Sequence, residues 1–229
     1  MPLLAGPARL ILCLVTDRRR LTVDADARSL DLVMAQVADA ARAGIDLVQV
    51  REPDLSTRAL TELVRGAVRV TRGSGTRVVV SDRPDVAMAA GADGVHLRGR
   101  SIDALRVRHM VPPAFLLGRS VHRAAEAAAA EAGGGLDYLI VGTVFPSQSK
   151  PGGTALGVTG LASAVQAVCL PVLAIGGVTL SNLATVARAG AAGIAAIGLF
   201  MGDPKRGGEG LAEVVESARR LFDTAGLIP

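Results

Sequence analysis

The sequence predicts a (β/α)8 TIM barrel folded as a single domain over residues 1–229. Three observations carry this. One phrase recurs: a helical run ends in Gly, an Asp or small residue follows, then four or five apolar residues. It reads AGIDLVQVR (43–51), AGADGVHLR (90–98), GGLDYLIVG (134–142) and AGAAGIAAIG (189–198). Gly supplies a left-handed helix cap, and the apolar run reads as a strand buried on both faces. Ala-rich amphipathic segments alternate with these runs, so the strands pair in parallel. The repeat of about 25–28 residues per unit and the length of 229 residues suit one barrel. Such a chain can bury about 70% of its unfolded surface.

Taken in order, strand one is 10–15. The stretch before it lacks a basic lead-in and a small-residue cleavage site, which argues against a signal peptide. The first helix covers about 30–43, its apolar Leu30, Val33, Met34, Val37 and Ala38 recurring at helical spacing. Helices follow over about 56–72, 84–90, 102–110, 122–133, 159–168, 180–189 and 208–224. Further strands are 77–81, 115–118 and 171–175, between the four repeated phrases. A doubly wound sheet would normally carry GxGxxG after strand one, where this chain has TDRRR.

Composition excludes several classes. Half of the residues are apolar, which rules out disorder, and 2% are aromatic, too few for stacking single-stranded nucleic acid. The longest apolar stretch, 161–178, is broken by Gln166, Pro171, Gly176 and Gly177, so no transmembrane helix is expected. Cys13 and Cys169 form no CxxC or metal pattern and read as buried free thiols of a cytoplasmic protein. The net charge of +4 suits a phosphorylated small ligand as well as an ordinary solvated surface.

A barrel places its active site at the C-terminal ends of the strands. Gly176 and Gly177 follow strand seven, and Ile197 and Gly198 end strand eight; backbone N–H groups there can hold a phosphate. Gln49 and Arg51 share one face of strand two at the mouth, Arg51 offering a fork for carboxylate or phosphate, or else an Arg–Glu layer. Ser81 and Asp82 follow strand three. Asp82 reads either as a helix cap ahead of Pro84 or as a ligand for a metal or a substrate amine. Ser120 and His122 lie just past strand five, where a neutral imidazole can move a proton near pH 7. Asn182 or Ser181 can cap the next helix. Loop 142–153 carries Ser147, Ser149 and Lys150 and reads as a lid or substrate-gripping loop, unsuited to a Schiff base.

The motifs LVTDR, LVQVRE, SDRPDVAMAAGADGVHL, GRSVH, VGTVFPSQSK, ALGVTGL and PVLAIGGV resemble, in order, the thiamine phosphate synthase superfamily over about residues 9–222. The superfamily includes thiamine phosphate synthase and the sister thiazole tautomerase. The synthase joins a hydroxymethylpyrimidine pyrophosphate to a thiazole phosphate with Mg2+. Its pattern is kept at Gln49, Arg51, Asp82, Ser120 and Lys150, with Ser147 and Ser149 standing for threonines. It departs at Pro53 (a lysine), Ser81 (an Asn) and Ser101 (the second metal Asp). An SVH motif marks the tautomerase, and this chain has Ser120-Val121-His122.

On that balance the resemblance implies the tautomerase-like branch: an isomerase of thiamine biosynthesis that aromatises a carboxylated thiazole phosphate. His122 would shuttle the proton, Gly176, Gly177, Ile197 and Gly198 would hold the phosphate, and no cofactor would be needed. Replacing His122 would then cost something like 10²–10⁴-fold. The alternatives are the synthase, with Mg2+ on Asp82, and a non-catalytic thiamine-precursor binder acting through a partner. The expected partner is a phosphorylated thiazole, with no nucleic acid or membrane, and the resemblance allows a homodimer.

Overall fold

Short runs of Val, Ile and Leu are buried on both faces of an open sheet covered by helices on both sides, or where helices cover one side and the strands close on themselves. In a computed structural model, which describes residues 9–22, 27–147, 154–201 and 209–226, the strands close. The strands are β1 (Ile11–Val15), β2 (Leu47–Val50), β3 (Arg77–Ser81), β4 (Gly94–Leu97), β5 (Leu116–Val121), β6 (Tyr138–Gly142), β7 (Val172–Ile175) and β8 (Gly193–Ala196). They pair in parallel in chain order, and β1 pairs with β8 to close the barrel. The helices are α1 (Ala27–Ala43), α2 (Thr57–Thr71), α3 (Pro84–Ala90), α4 (Ala104–Arg108), α5 (Ala124–Ala132), α6 (Gly157–Gln166), α7 (Leu183–Arg188) and α8 (Glu209–Gly226). Single 3-10 turns, Arg18–Arg20 and Gly198–Phe200, follow β1 and β8. No described helix is long and apolar enough to cross a membrane.

Two apolar layers result. Ile11, Cys13, Val15, Leu47, Val79, Leu116, Tyr138, Ile140, Leu173 and Ala195 form one cluster inside the barrel. The alternate positions, such as Leu12, Leu14, Val48, Val78, Val95 and Leu117, pack outward with the helices. The helix caps follow the sequence. Gly44, Gly91 and Gly190 of the recurring phrase have φ of 80°, 71° and 83°, the left-handed geometry that ends a helix and turns the chain into the next strand. Ser56 caps α2 and Asp103 caps α4, each accepting from a backbone N–H three residues on.

Several sequence expectations change in detail. Strand β5 runs to Val121 rather than stopping at Gly118, because β6 pairs with it as far as Val141. Ser120 is therefore part of the strand wall, not a loop residue. Cys13 is buried as expected, but Cys169 is exposed, lying on the turn before β7 whose N–H groups are held by Glu131. The α3 cap position is Arg83, with Pro84 in the first turn, so Asp82 does not cap that helix. Asn182 makes no side-chain cap on α7 and instead ties the preceding loop.

Candidate active site

The C-terminal mouth of the barrel gathers the residues that strand polarity selects, and its two halves are built differently. On the β7–β8 side the chain offers backbone. Gly176 and Gly177 have φ of 97° and 63°, and Asn182 pins the turn, donating to the Gly177 carbonyl at 2.9 Å and accepting from Thr179 N–H at 2.9 Å. A side chain at 177 would stand 2.7 Å from Phe145 Cβ, so the β6 loop packs directly on this glycine. Next to it Ile197 leads into Gly198, the exposed start of the 3-10 turn; a Cβ at 198 would lie 3.4 Å from the Arg20 guanidinium.

On the β2–β5 side the chain offers side chains. Gln49, 5% exposed, donates from Nε2 to Ser81 Oγ at 2.6 Å. Arg51 lies one turn of the pleat above, exposed, and among the described residues its guanidinium makes no hydrogen bond or ion pair. Its backbone is fixed, because Arg51 N–H donates to Thr16 Oγ1 at 3.0 Å. The expected Arg–Glu layer exists, but with a different arginine. Glu52, 3% exposed, accepts from Thr16 Oγ1 at 2.8 Å and from the Arg18 backbone at 3.1 Å and guanidinium at 3.2 Å. Arg18 also forks onto Asp54 at 2.5 and 2.6 Å. That fork holds the Asp54 carboxyl well below the usual range, while burial pushes Glu52 up. Sequence reading missed this brace: its partners lie 34–36 residues apart on two strand ends.

Asp82 adopts φ 59° and turns its carboxylate to the β4 loop, accepting from Arg98 Nε at 2.8 Å and Arg98 N–H at 3.3 Å. Ser120 Oγ meets His96 Nε2 at 2.8 Å. His122 lies at the rim with an exposed ring; its backbone N–H donates to Glu126 at 2.8 Å, and Nδ1 contacts the Gly142 carbonyl. Ser147 is half-buried on the β6 loop, whereas Ser149 and Lys150 lie outside the described residues.

The Mg2+ that the resemblance implies for a synthase meets a poor donor set. The Asp82 carboxylate is taken by Arg98, position 101 is Ser, and no group of three His, Cys, Asp or Glu able to hold a metal occurs among the described residues. These residues do not fit a protein-held Mg2+ site.

Residues 12–200 match the family model described as thiamine monophosphate synthase. The thiamine-phosphate synthase of Roseiflexus castenholzii is 42% identical over 196 residues, 85% of this chain and 82% of the relative. That of Pyrococcus horikoshii is 37% identical over 210 residues, 91% of this chain and 96% of the relative. The solved structure of the thiamine phosphate pyrophosphorylase from Pyrococcus furiosus superposes with a TM-score of 0.77 at 31% identity, covering 94% of this chain and 96% of the other. These findings overturn the tautomerase expectation and its isomerase class. That reading gave most weight to three departures at one subsite, Pro53, Ser81 and Ser101, and to a single His. Identity near 40% along more than four-fifths of the chain, shared with proteins named synthases, outweighs them.

Proposed function

The chain belongs to the thiamine monophosphate synthase family, and from that premise we propose that it is itself a thiamine-phosphate synthase, a transferase of thiamine biosynthesis. In this reading a thiazole phosphate displaces pyrophosphate from hydroxymethylpyrimidine pyrophosphate. The observation that carries the proposal is the similarity to thiamine-phosphate synthases over 85–91% of the chain. The mouth is chemically suited to it. Two phosphorylated substrates must be held side by side, and the two halves of the mouth offer two ways of holding anions.

The glycine half would take the thiazole phosphate. Gly176, Gly177, Ile197 and Gly198 can turn N–H groups onto phosphate oxygens at close range, since no Cβ intervenes at the glycines. The side-chain half would take the pyrimidine pyrophosphate. The Arg51 fork, without a partner among the described residues, matches a phosphate bidentately, and its charge would stabilise the leaving pyrophosphate. Gln49 and Ser81 would fix the polar edge of the ring, Ser120 would donate to a phosphate oxygen, and Ser147, with Ser149 and Lys150, would grip the substrate. Holding both reactants in line supplies much of the acceleration, because the second-order encounter becomes intramolecular.

Incubation of the purified protein with both substrates tests this directly. The expected outcome is thiamine phosphate and pyrophosphate in equal amounts, with Arg51→Ala raising the KM for the pyrimidine pyrophosphate by about tenfold or more. Absence of thiamine phosphate, with and without added Mg2+, would overturn the proposal.

A further inference from the structure

Beneath the mouth, the barrel interior holds two buried polar side chains that the proposed chemistry does not touch. His96 on β4 is 2% exposed and Tyr138 on β6 is fully buried. Between them lies Gly118 of β5, in register with both. A Cβ on Gly118 would stand 2.5 Å from Tyr138 Oη, so the tyrosine ring fills the space a side chain would take and reaches across the strand. Its hydroxyl lies 3.2 Å from His96 Nδ1, and the two rings are 5.6 Å apart. On the other side of the imidazole, Nε2 lies 2.8 Å from Ser120 Oγ at the floor of the mouth.

These contacts have a direction. A neutral imidazole has one N–H and one lone pair. His96 is neutral at ordinary pH: burial pushes it down to about 3, aided by Arg119 and opposed by Asp82, the charged groups nearest it. The Tyr138 hydroxyl is sealed among apolar side chains; among the described residues Cys13 and Asp137 act on it through charge without a hydrogen bond, and Nδ1 is the acceptor it reaches. A proton on Nδ1 would leave the phenolic O–H buried without an acceptor, which is costly. Tyr138 therefore donates to Nδ1, the ring proton sits on Nε2, and Nε2–H donates to Ser120 Oγ. Ser120 makes no other side-chain hydrogen bond among the described residues, so its own proton faces the mouth.

We propose that His96 is a positioning residue: Tyr138 locks it as the Nε2–H tautomer, and it in turn fixes Ser120 as a hydrogen-bond donor to the substrate. The acceptor would be an anionic phosphate oxygen. The identity of that substrate rests on the synthase reading; the tautomer does not.

Long-range proton–nitrogen correlation spectra of the 15N-labelled full chain at pH 7 read the tautomer. The chain has three histidines, and the other two, His109 and His122, are exposed, so His109→Asn and His122→Asn assign His96 by subtraction without disturbing the core. The expected spectrum shows Nε2 protonated and Nδ1 bare. Protonation of Nδ1, or of both nitrogens, overturns the proposal whether or not the protein makes thiamine phosphate. Kinetics give a second reading. Ser120→Ala and His96→Phe should each lower kcat about tenfold, and the double variant should lose no more than either alone, while His96→Gln, which keeps an N–H donor, recovers most of the rate. Losses that multiply in the double variant would also overturn it. No product from the unaltered protein would overturn the synthase reading alone, with the spectra still deciding the tautomer.

Discussion

In the proposed function the two halves of the barrel mouth would hold anions with opposite materials. The β7–β8 half uses glycine backbone and is shaped by what is missing: at Gly177 the neighbouring Phe145 would stand 2.7 Å from any Cβ. The β2–β5 half uses side chains, each braced from behind: Arg51 by Thr16 and the buried Glu52–Arg18 pair, Ser81 by Gln49, Ser120 by His96. The difference teaches where each half is fragile. The backbone half fails when atoms are added. The side-chain half fails when a supporting atom is removed or changes its charge.

The largest effect expected from this contrast is at Gly177. In Gly177→Ala the added methyl meets the β6 loop, and a φ of 63° strains any residue with a Cβ. The loop must shift by a good fraction of an ångström, and a displacement on that scale can cost about 10²-fold in rate. Steady-state kinetics should show the loss mainly as a raised KM for the thiazole phosphate, accompanied by a lowered midpoint of thermal unfolding. A loss confined to the pyrimidine substrate would mean that the assignment of halves is reversed.

The contrast also explains what the sequence made legible. Closure of the barrel, the eight strands and the glycine half were readable because each rests on local pattern: Gly-capped helices, short apolar runs, and glycines at two successive strand ends. The side-chain half was readable only as a set of residue names. Gln49 and Arg51 could be placed at the mouth by strand alternation and Ser120 by its position after an apolar run, but their supports could not. Arg18 and Glu52 lie 34 residues apart, and His96 and Tyr138 lie 42 apart, meeting across the bare Gly118. No spacing rule links such pairs, since register and the filling of the barrel interior bring them together. His96 stands in the sequence only as part of the repeated phrase AGADGVHLR (90–98), and the proton chemistry goes to His122 just past strand five.

Charge at the buried support gives the next effect. The pKa of His96 is lowered from 6.5 to about 3 in the folded chain, so the unfolded chain takes up the proton first as pH falls. The support is intact above about pH 7. Stability then declines as pH drops through 6.5 toward 3, by up to about 1.4 kcal/mol per pH unit for this one group. Urea unfolding at pH 7 and pH 5 should therefore show a larger loss in the unaltered protein than in His96→Gln, which carries no proton to bind. Equal losses in the two proteins would mean that His96 is not held neutral by burial, and the support would lose its rigidity argument.

The smallest effect is expected at the rim, and it separates the two chemistries most cleanly. His122 belongs to neither half: its ring is exposed, Nδ1 rests on the Gly142 carbonyl, and its backbone is held by Glu126. A proton-shuttling role would make it indispensable, with losses on the order of 10²–10⁴-fold on replacement. A transfer driven by anion binding and alignment asks nothing of it, and the lost contact to Gly142 is a single part-buried hydrogen bond, about 0.5–1.5 kcal/mol. His122→Asn keeps a short polar group able to reach that carbonyl. Thiamine phosphate formation by His122→Asn should therefore stay within about threefold of the unaltered rate. A loss of a hundredfold would return His122 to the reacting atoms and would require a proton transfer that neither half of the mouth, as proposed, provides.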